Sequence, residues 1–290
     1  MEYYSLGEKI IAFTTDRTVG RDKAKLFKEL HQTYPILPPS NARAGVGLYY
    51  PHQTHTDRIF QITEEFLALP WEEQKPQLEG FDAVIYQSPK YQEVSQTNQQ
   101  HTNISSPQGF CPPGNGGTEG GVKTIDGWEG VLGISTADCI PVIVYDKANH
   151  AAAAIHAGWK GTVKRIVEKA IARMQEVYGT NPADCTAAIG PGISQESFEV
   201  GWEVVETFRQ EGFDMDRYVI EMPDMHGEGQ KPHIDLKEIN RQQLLRCGLT
   251  SENIFVSPID TFTDERFFSA RREQKGDVKC GRILSGFILL

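Results

Sequence analysis

Residues 151–179, AAAAIHAGWKGTVKRIVEKAIARMQEVYG, decide how this chain folds. The first five positions are small or branched and wholly apolar, a run that suits a strand buried on both faces. Further on, Val163, Ile166, Val167, Ala170, Ile171, Met174 and Val177 keep the i, i+3, i+4, i+7 spacing of a helix with one buried face, and Gly179 stops it. A strand therefore hands directly to a helix, and His156 stands at the handover. The backbone N–H groups of that helix start, with Lys160 near them, make a ready anion site. Trp159 can stack on a ligand ring or fill the core.

Outward from this unit the same signals recur. Short apolar runs bounded by turn residues predict strands over 10–13, 46–50, 83–86, 131–134, 141–145, 186–189, 254–256 and 283–290. Several are apolar on both faces, which implies sheets covered on both sides. Weaker helices are predicted over 22–31, 201–210 and from Asp235, a plausible N-cap, to Arg246. Strands and helices alternate throughout with no linker between two halves, so the residues alone describe one α/β-type domain. Residues 88–128 interrupt it: rich in Gly, Pro, Ser, Gln and Asn and without aliphatic periodicity, they form a long surface insertion that cannot offset its ordering entropy by burial.

Composition narrows the function. The chain has 290 residues, 39% hydrophobic and 23% charged, enough to bury a large core. A net charge of −10 sets its field against nucleic acid and anionic membranes. Five cysteines with no CxxC pair indicate neither a disulfide framework nor a zinc ribbon. No signal-peptide or membrane-spanning run is present, and the expectation is a reduced, cytoplasmic protein.

Three segments place metal-type ligands at strand ends. Pro51-His52-Gln53-Thr54-His55 follows the strand at 46–50; in extended chain, positions 52 and 55 face opposite ways, so only one histidine is a candidate. Thr136-Ala137-Asp138-Cys139-Ile140-Pro141 sets a carboxylate and a thiol between two apolar strands. His156 is the third. One thiolate and two imidazoles are a ligand set for zinc or copper with one position left open, as in catalytic zinc sites. Without a metal, Cys139 and His156 instead make the thiolate–imidazole dyad of a cysteine hydrolase. Spacing does not choose between these. Two further segments look site-like: Ile189-Gly190-Pro191-Gly192, a turn that permits close backbone approach, and Phe267-Phe268-Ser269-Ala270-Arg271-Arg272, where arginines beside aromatics suit phosphate or purine recognition.

Taken in order, Gln53-Thr54-His55, the Thr136 to Val142 segment, His156-Ala157-Gly158-Trp159-Lys160-Gly161, Ile189-Gly190-Pro191, Phe267-Phe268-Ser269 with Arg271-Arg272, and Gly281-Arg282 resemble the laccase-domain family, the YfiH-like proteins first described as multicopper polyphenol oxidases. The resemblance implies an α+β fold with two mixed β-sheets packed face to face and helices outside, in α/β/β/α layers, similar to certain cysteine hydrolases. It implies phosphorolysis of adenosine, inosine, guanosine and methylthioadenosine, with deamination of adenosine. It makes His55, Cys139 and His156 the metal-binding and catalytic trio, usually with zinc, and chooses His55 over His52. Asp138 becomes the candidate for moving protons, Lys160 for holding orthophosphate, and Gln53, Trp159, Arg271 and Arg272 for contacting substrate. The chain departs from the pattern at Thr14-Thr15-Asp16-Arg17, at Glu29-Leu30 where an Asn-Arg pair is expected, at Asp260-Thr261, and in the insertion. A four-copper oxidase is rejected on chemistry: it needs around ten histidines in His-x-His pairs, and this chain has eight histidines and no such pair. Copper at the trio, a metal-free hydrolase, and an interaction protein acting through the insertion are the alternatives.

Overall fold

The computed structural model describes residues 1–34, 37, 47–88, 130–223, 229–274, 276 and 281–290. The insertion expected at 88–128 falls, apart from Ser88, outside the described residues, as do Cys111 and Cys280. The strands are β1 (Glu2–Tyr4), β2 (Ile10–Thr14), β3 (Gly47–Tyr49), β4 (Ile59–Gln61), β5 (Ala83–Gln87), β6 (Gly130–Thr136), β7 (Ile140–Asp146), β8 (Ala151–Ala157), β9 (Cys185–Ile189), β10 (Val219–Pro223), β11 (Gln230–Ile234), β12 (Ile254–Val256) and β13 (Ile283–Leu289). The helices are α1 (Lys23–Thr33), α2 (Glu64–Ala68), α3 (Trp71–Gln77), α4 (Trp159–Val163), α5 (Ile166–Tyr178), α6 (Trp202–Gln210), α7 (Leu236–Cys247) and α8 (Ala270–Gln274).

Two mixed sheets carry the fold, one of five strands in the order β1-β2-β13-β6-β3 and one of six in the order β12-β9-β7-β8-β5-β4. Side-chain alternation along each strand assigns its two faces. In β8, Ala152 and Ala154 join Ile134, Leu132 and Phe287 of the other sheet in the core between the sheets. Its alternate residues Ala151, Ala153 and Ile155 pack on Val167, Ala170, Ile171 and Met174 of α5. On the far side, Ile11, Phe13, Leu284 and Ile288 meet Leu26, Phe27 and Leu30 of α1. Each such large side chain, fully buried, contributes about 1.5–3 kcal/mol of transfer free energy. The layers are therefore helix, sheet, sheet, helix, an α+β arrangement. Most pairings are antiparallel, with parallel ones at β3·β6, β4·β5 and β9·β12, so the α/β class read from alternating strands and helices gives way to mixed sheets in which many antiparallel neighbours, such as β2·β13 and β5·β8, come from distant parts of the chain.

The predicted helix after Gly158 is two helices. Arg165 breaks it with φ +58°. The Thr162 carbonyl, which would serve Ile166 in a continuous helix, instead accepts from Arg165 N at 3.0 Å and Gln243 Nε2 at 2.8 Å. Gly179, at φ +69°, ends α5 in the left-handed conformation that favours glycine. Asp22 and Asp235 cap α1 and α7 through their side chains. The residues between β4 and β5, for which the sequence reading assigned no element, form α2 and α3.

Candidate metal centre

The hairpin β7–β8 sets up two of the three donors. Its turn is held by Asp146, a buried carboxylate that accepts from Ala148 N, Asn149 N and Asn149 Nδ2, and its register pairs Pro141 with His156 and Ile140 with Ala157. Cys139, one residue before β7, consequently lies beside Gly158, one residue past β8. A Cβ on Gly158 would stand 3.0 Å from Cys139 Sγ and 3.1 Å from His55 Cδ2, so glycine is what lets the thiol and imidazole close over that backbone.

His55 arrives from the β3–β4 connection. Gln53 fixes this segment to β6: its Oε1 accepts from Ser135 N (2.8 Å) and its Nε2 donates to Ser135 O (2.7 Å). His55 itself adopts φ +59°, a region that non-glycine residues visit rarely. What holds it there is Asp82, at the threshold of β5. Asp82 Oδ1 accepts from His55 N (3.1 Å) and from the His156 ring at Nδ1 (2.7 Å), and Oδ2 accepts from Thr56 N and Thr56 Oγ1, both at 2.6 Å. One wholly buried carboxylate thus orients the His156 imidazole and fixes the backbone of His55. With Nδ1 committed to Asp82, His156 has Nε2 left for a ligand.

The nearest donor atoms of His55, Cys139 and His156 all lie within 4.8 Å of one another, and Cys139 Sγ is 3.8 Å from His55 Nε2. The two rings are 5.0 Å apart at 73°. Tetrahedral zinc with nitrogen and sulfur bonds of roughly 2.1 and 2.3 Å needs donors about 3.5–4 Å apart. The donor set fits. Burial alone would raise the Cys139 thiol, but the charges and hydrogen bonds of His156 and His55 draw it well below its ordinary value. Burial alone would lower His156, but the Cys139 thiolate and Asp82 push it up. Asp82, which burial would raise, is brought down to about 2 by hydrogen bonds from His156 and Thr56. Cys185 and Cys247 run the other way, raised by burial, so among the described cysteines the thiolate belongs to Cys139.

The trio opens into a cavity of about 780 Å³, whose wall also includes Gln53, Thr136 and Arg282. Trp159, Lys160, Arg271 and Arg272 are not on that wall. Lys160 lies 5.7 Å from the Trp159 ring. The Arg271 guanidinium donates to Glu199 O, and that of Arg272 to the carbonyls of Phe262 and Phe267, so both brace the chain around α8. The proton-moving role expected of Asp138 meets a physical obstacle: its buried carboxylate accepts from Thr261 Oγ1 (2.7 Å), Ser269 Oγ (3.0 Å) and Arg271 N (2.7 Å), and makes a strut rather than a free base. Among the described residues, the cations that reach the cavity are Arg21, Lys75 and Arg282, with Glu79 and Glu273 on the same wall. Of these the sequence reading had marked Arg282 alone, within Gly281-Arg282. Asp82 carries no sequence motif; its one local signal is an acid placed directly before a buried apolar strand.

Three comparisons bear on identity. The family model described as multi-copper polyphenol oxidoreductase laccase matches residues 121–290. A purine nucleoside phosphorylase of Bacteroides thetaiotaomicron is 39% identical over 263 residues, which cover 90% of this chain and 80% of its own. The adenosine deaminase RL5 of an unknown prokaryotic organism is 34% identical over 240 residues, 82% of this chain and 74% of its own. The crystal structure of YfiH from Bacillus licheniformis superposes with a TM-score of 0.66 over 97% of this chain and 92% of its own, at 23% identity, a likeness of fold. With the layered sheets and the His-Cys-His centre already in place, these matches make the chain a member of the laccase-domain (YfiH) family.

Proposed function

We propose that this protein is a zinc-dependent purine nucleoside phosphorylase that also deaminates adenosine, acting in the reducing cytoplasm. The observation that carries the reading is the preorganised trio on the wall of a cavity of about 780 Å³. Its relatives named for these two reactions support it. His55, Cys139 and His156 would hold the zinc, and the bound ion would supply Lewis acidity and a more acidic water. The chain's own residues do the rest. Asp82 keeps the His156 proton on Nδ1. Gln53 and Asp82 fix the approach of His55. Arg21, Lys75 and Arg282 give the cavity local positive charge, against the field of an acidic chain, with which to hold orthophosphate.

The test follows products. Adenosine plus phosphate should yield adenine, ribose 1-phosphate and inosine, and Cys139→Ala should abolish all three; no product above that control sinks the reading. A second reading rests on a specific observation: Cys139, His156 and Asp82 form a thiolate–imidazole–carboxylate series, the arrangement of a cysteine hydrolase. His55 separates the two. It is a third ligand in one and dispensable in the other, so His55→Ala should lose stoichiometric zinc and activity together if zinc is the agent.

A further inference from the structure

The helical excursion between β4 and β5 turns one face toward the cavity. Trp71, Lys75 and Leu78, at i, i+4 and i+7 across α3 and its C-cap, all line the wall. Trp71 is 47% exposed, and of the large exposed apolar residues among those described (Trp71, Trp202, Ile220 and Phe255) it alone borders the cavity. An indole left open to solvent at the wall of a concave site is a surface waiting for a flat apolar partner.

The surface is held firmly. Gln74, beside this row on α3, is buried, and its Nε2 donates to the carbonyls of Phe66 and Leu67, tying α3 to α2. Phe66 is itself anchored in the core between the sheets. At the other end, His52 N donates to Leu78 O (3.1 Å) and Gly80 N to His52 O (2.9 Å), so α3 is fastened to the segment that delivers His55. Beside it on the wall stand His52 and Glu79, their Nδ1 and Oε2 2.7 Å apart, which offer polar groups to ring edges. An exposed indole on an anchored helix, polar neighbours and a metal-type trio lining one cavity describe a pocket for a planar heteroaromatic ring.

We propose that Trp71 is the platform on which the substrate's nucleobase stacks, with α3 as the wall that sets base specificity; this rests on the purine nucleoside reading above. Stacking on an aromatic face tolerates any purine, so the platform selects the class of base and leaves finer choice to groups such as His52 and Glu79. Because it acts through the base, its removal weakens binding of every purine nucleoside alike.

Calorimetric titration with inosine in the absence of phosphate reads binding without turnover. Trp71→Ala should raise the Kd for inosine by roughly 10- to 100-fold, Trp71→Phe by only about threefold, and Trp202→Ala, at an exposed tryptophan away from the cavity, not at all. Zinc content and thermal midpoint of the Trp71 variants should match the wild type. Wild-type affinity retained in Trp71→Ala overturns the platform while leaving the functional reading standing. No inosine binding by the zinc-loaded wild type overturns both.

Discussion

Replacing Asp82 by Asn changes charge and proton position at the centre with almost no change in shape. Both carboxylate oxygens accept hydrogen bonds, Oδ1 from His156 Nδ1 and His55 N, Oδ2 from Thr56 N and Oγ1. An asparagine has one acceptor oxygen and one NH₂. If the NH₂ faces Thr56, it opposes a backbone N–H; if it faces His156, it donates to Nδ1 and forces the ring proton onto Nε2, the nitrogen left for a ligand. The first arrangement leaves the Thr56 N–H without its acceptor, and the second puts the ring proton on the wrong nitrogen. Partners of this kind change metal affinity by about 10- to 100-fold, or about 1.4–2.7 kcal/mol. Stability should change too, with a pH signature. The carboxyl is held at about 2, against about 3.9 when unfolded. A depressed carboxyl stabilises fully above its unfolded value and loses that contribution as pH falls through its folded one, here between about pH 4 and pH 2, by roughly 2–3 kcal/mol. Zinc competition against a chromophoric chelator, with urea unfolding of the zinc-free protein at pH 7, 4, 3 and 2, reads both. Affinity within twofold of wild type, together with a stability difference that does not shrink below pH 4, refutes the role given to Asp82.

Gly158→Ala tests the cradle. Gly158 has φ −67°, so alanine is free of backbone strain there, yet its Cβ presses on Cys139 Sγ and His55 Cδ2; zinc affinity should fall by about 10-fold or more with the thermal midpoint little changed. Asp138→Ala removes the acceptor of three buried hydrogen bonds at a residue with φ +79°, and urea unfolding should show a loss of about 3 kcal/mol. Lys237 donates to the carbonyls of Ser257 and Ile259, and burial pushes its ammonium down to about 8. The unfolded lysine keeps its proton to about 10.4, so wild-type stability relative to Lys237→Met should climb between about pH 8 and pH 10.4, by about 3 kcal/mol. A flat difference across that window contradicts the burial argument.

What the sequence disclosed, and what it withheld, follows the range of the interactions. The strand-to-helix unit at 151–179 was legible because periodicity is local: the alanines of β8, Met174 on the buried face of α5 and Gly179 at its end all show in the order of residues. The break at Arg165 did not show, because Gln243, on α7, takes hold of the Thr162 carbonyl. Cys139 and His156 stood out as odd residues beside apolar strands. Asp82 did not, since its meaning depends on the pairing of β5 with β8, which brings it to His156 from 74 positions away. The paired arginines 271 and 272 illustrate the reverse case. Their composition suggested anion binding, and only the tertiary structure shows that both guanidinium groups donate to loop carbonyls and stand off the cavity wall.

The hairpin that carries Cys139 and His156 brings together residues seventeen positions apart, whereas His55 must come from across the chain and is positioned through Asp82. Short-range hairpins close fast and distant segments dock late. Two donors are therefore expected to come together early and the third to dock late. On the proposed zinc reading, tight ion uptake would index completed folding: a chain that had formed its central hairpin without seating the segment around residue 55 would offer two of the three donors, and metal loading would distinguish it from the finished protein.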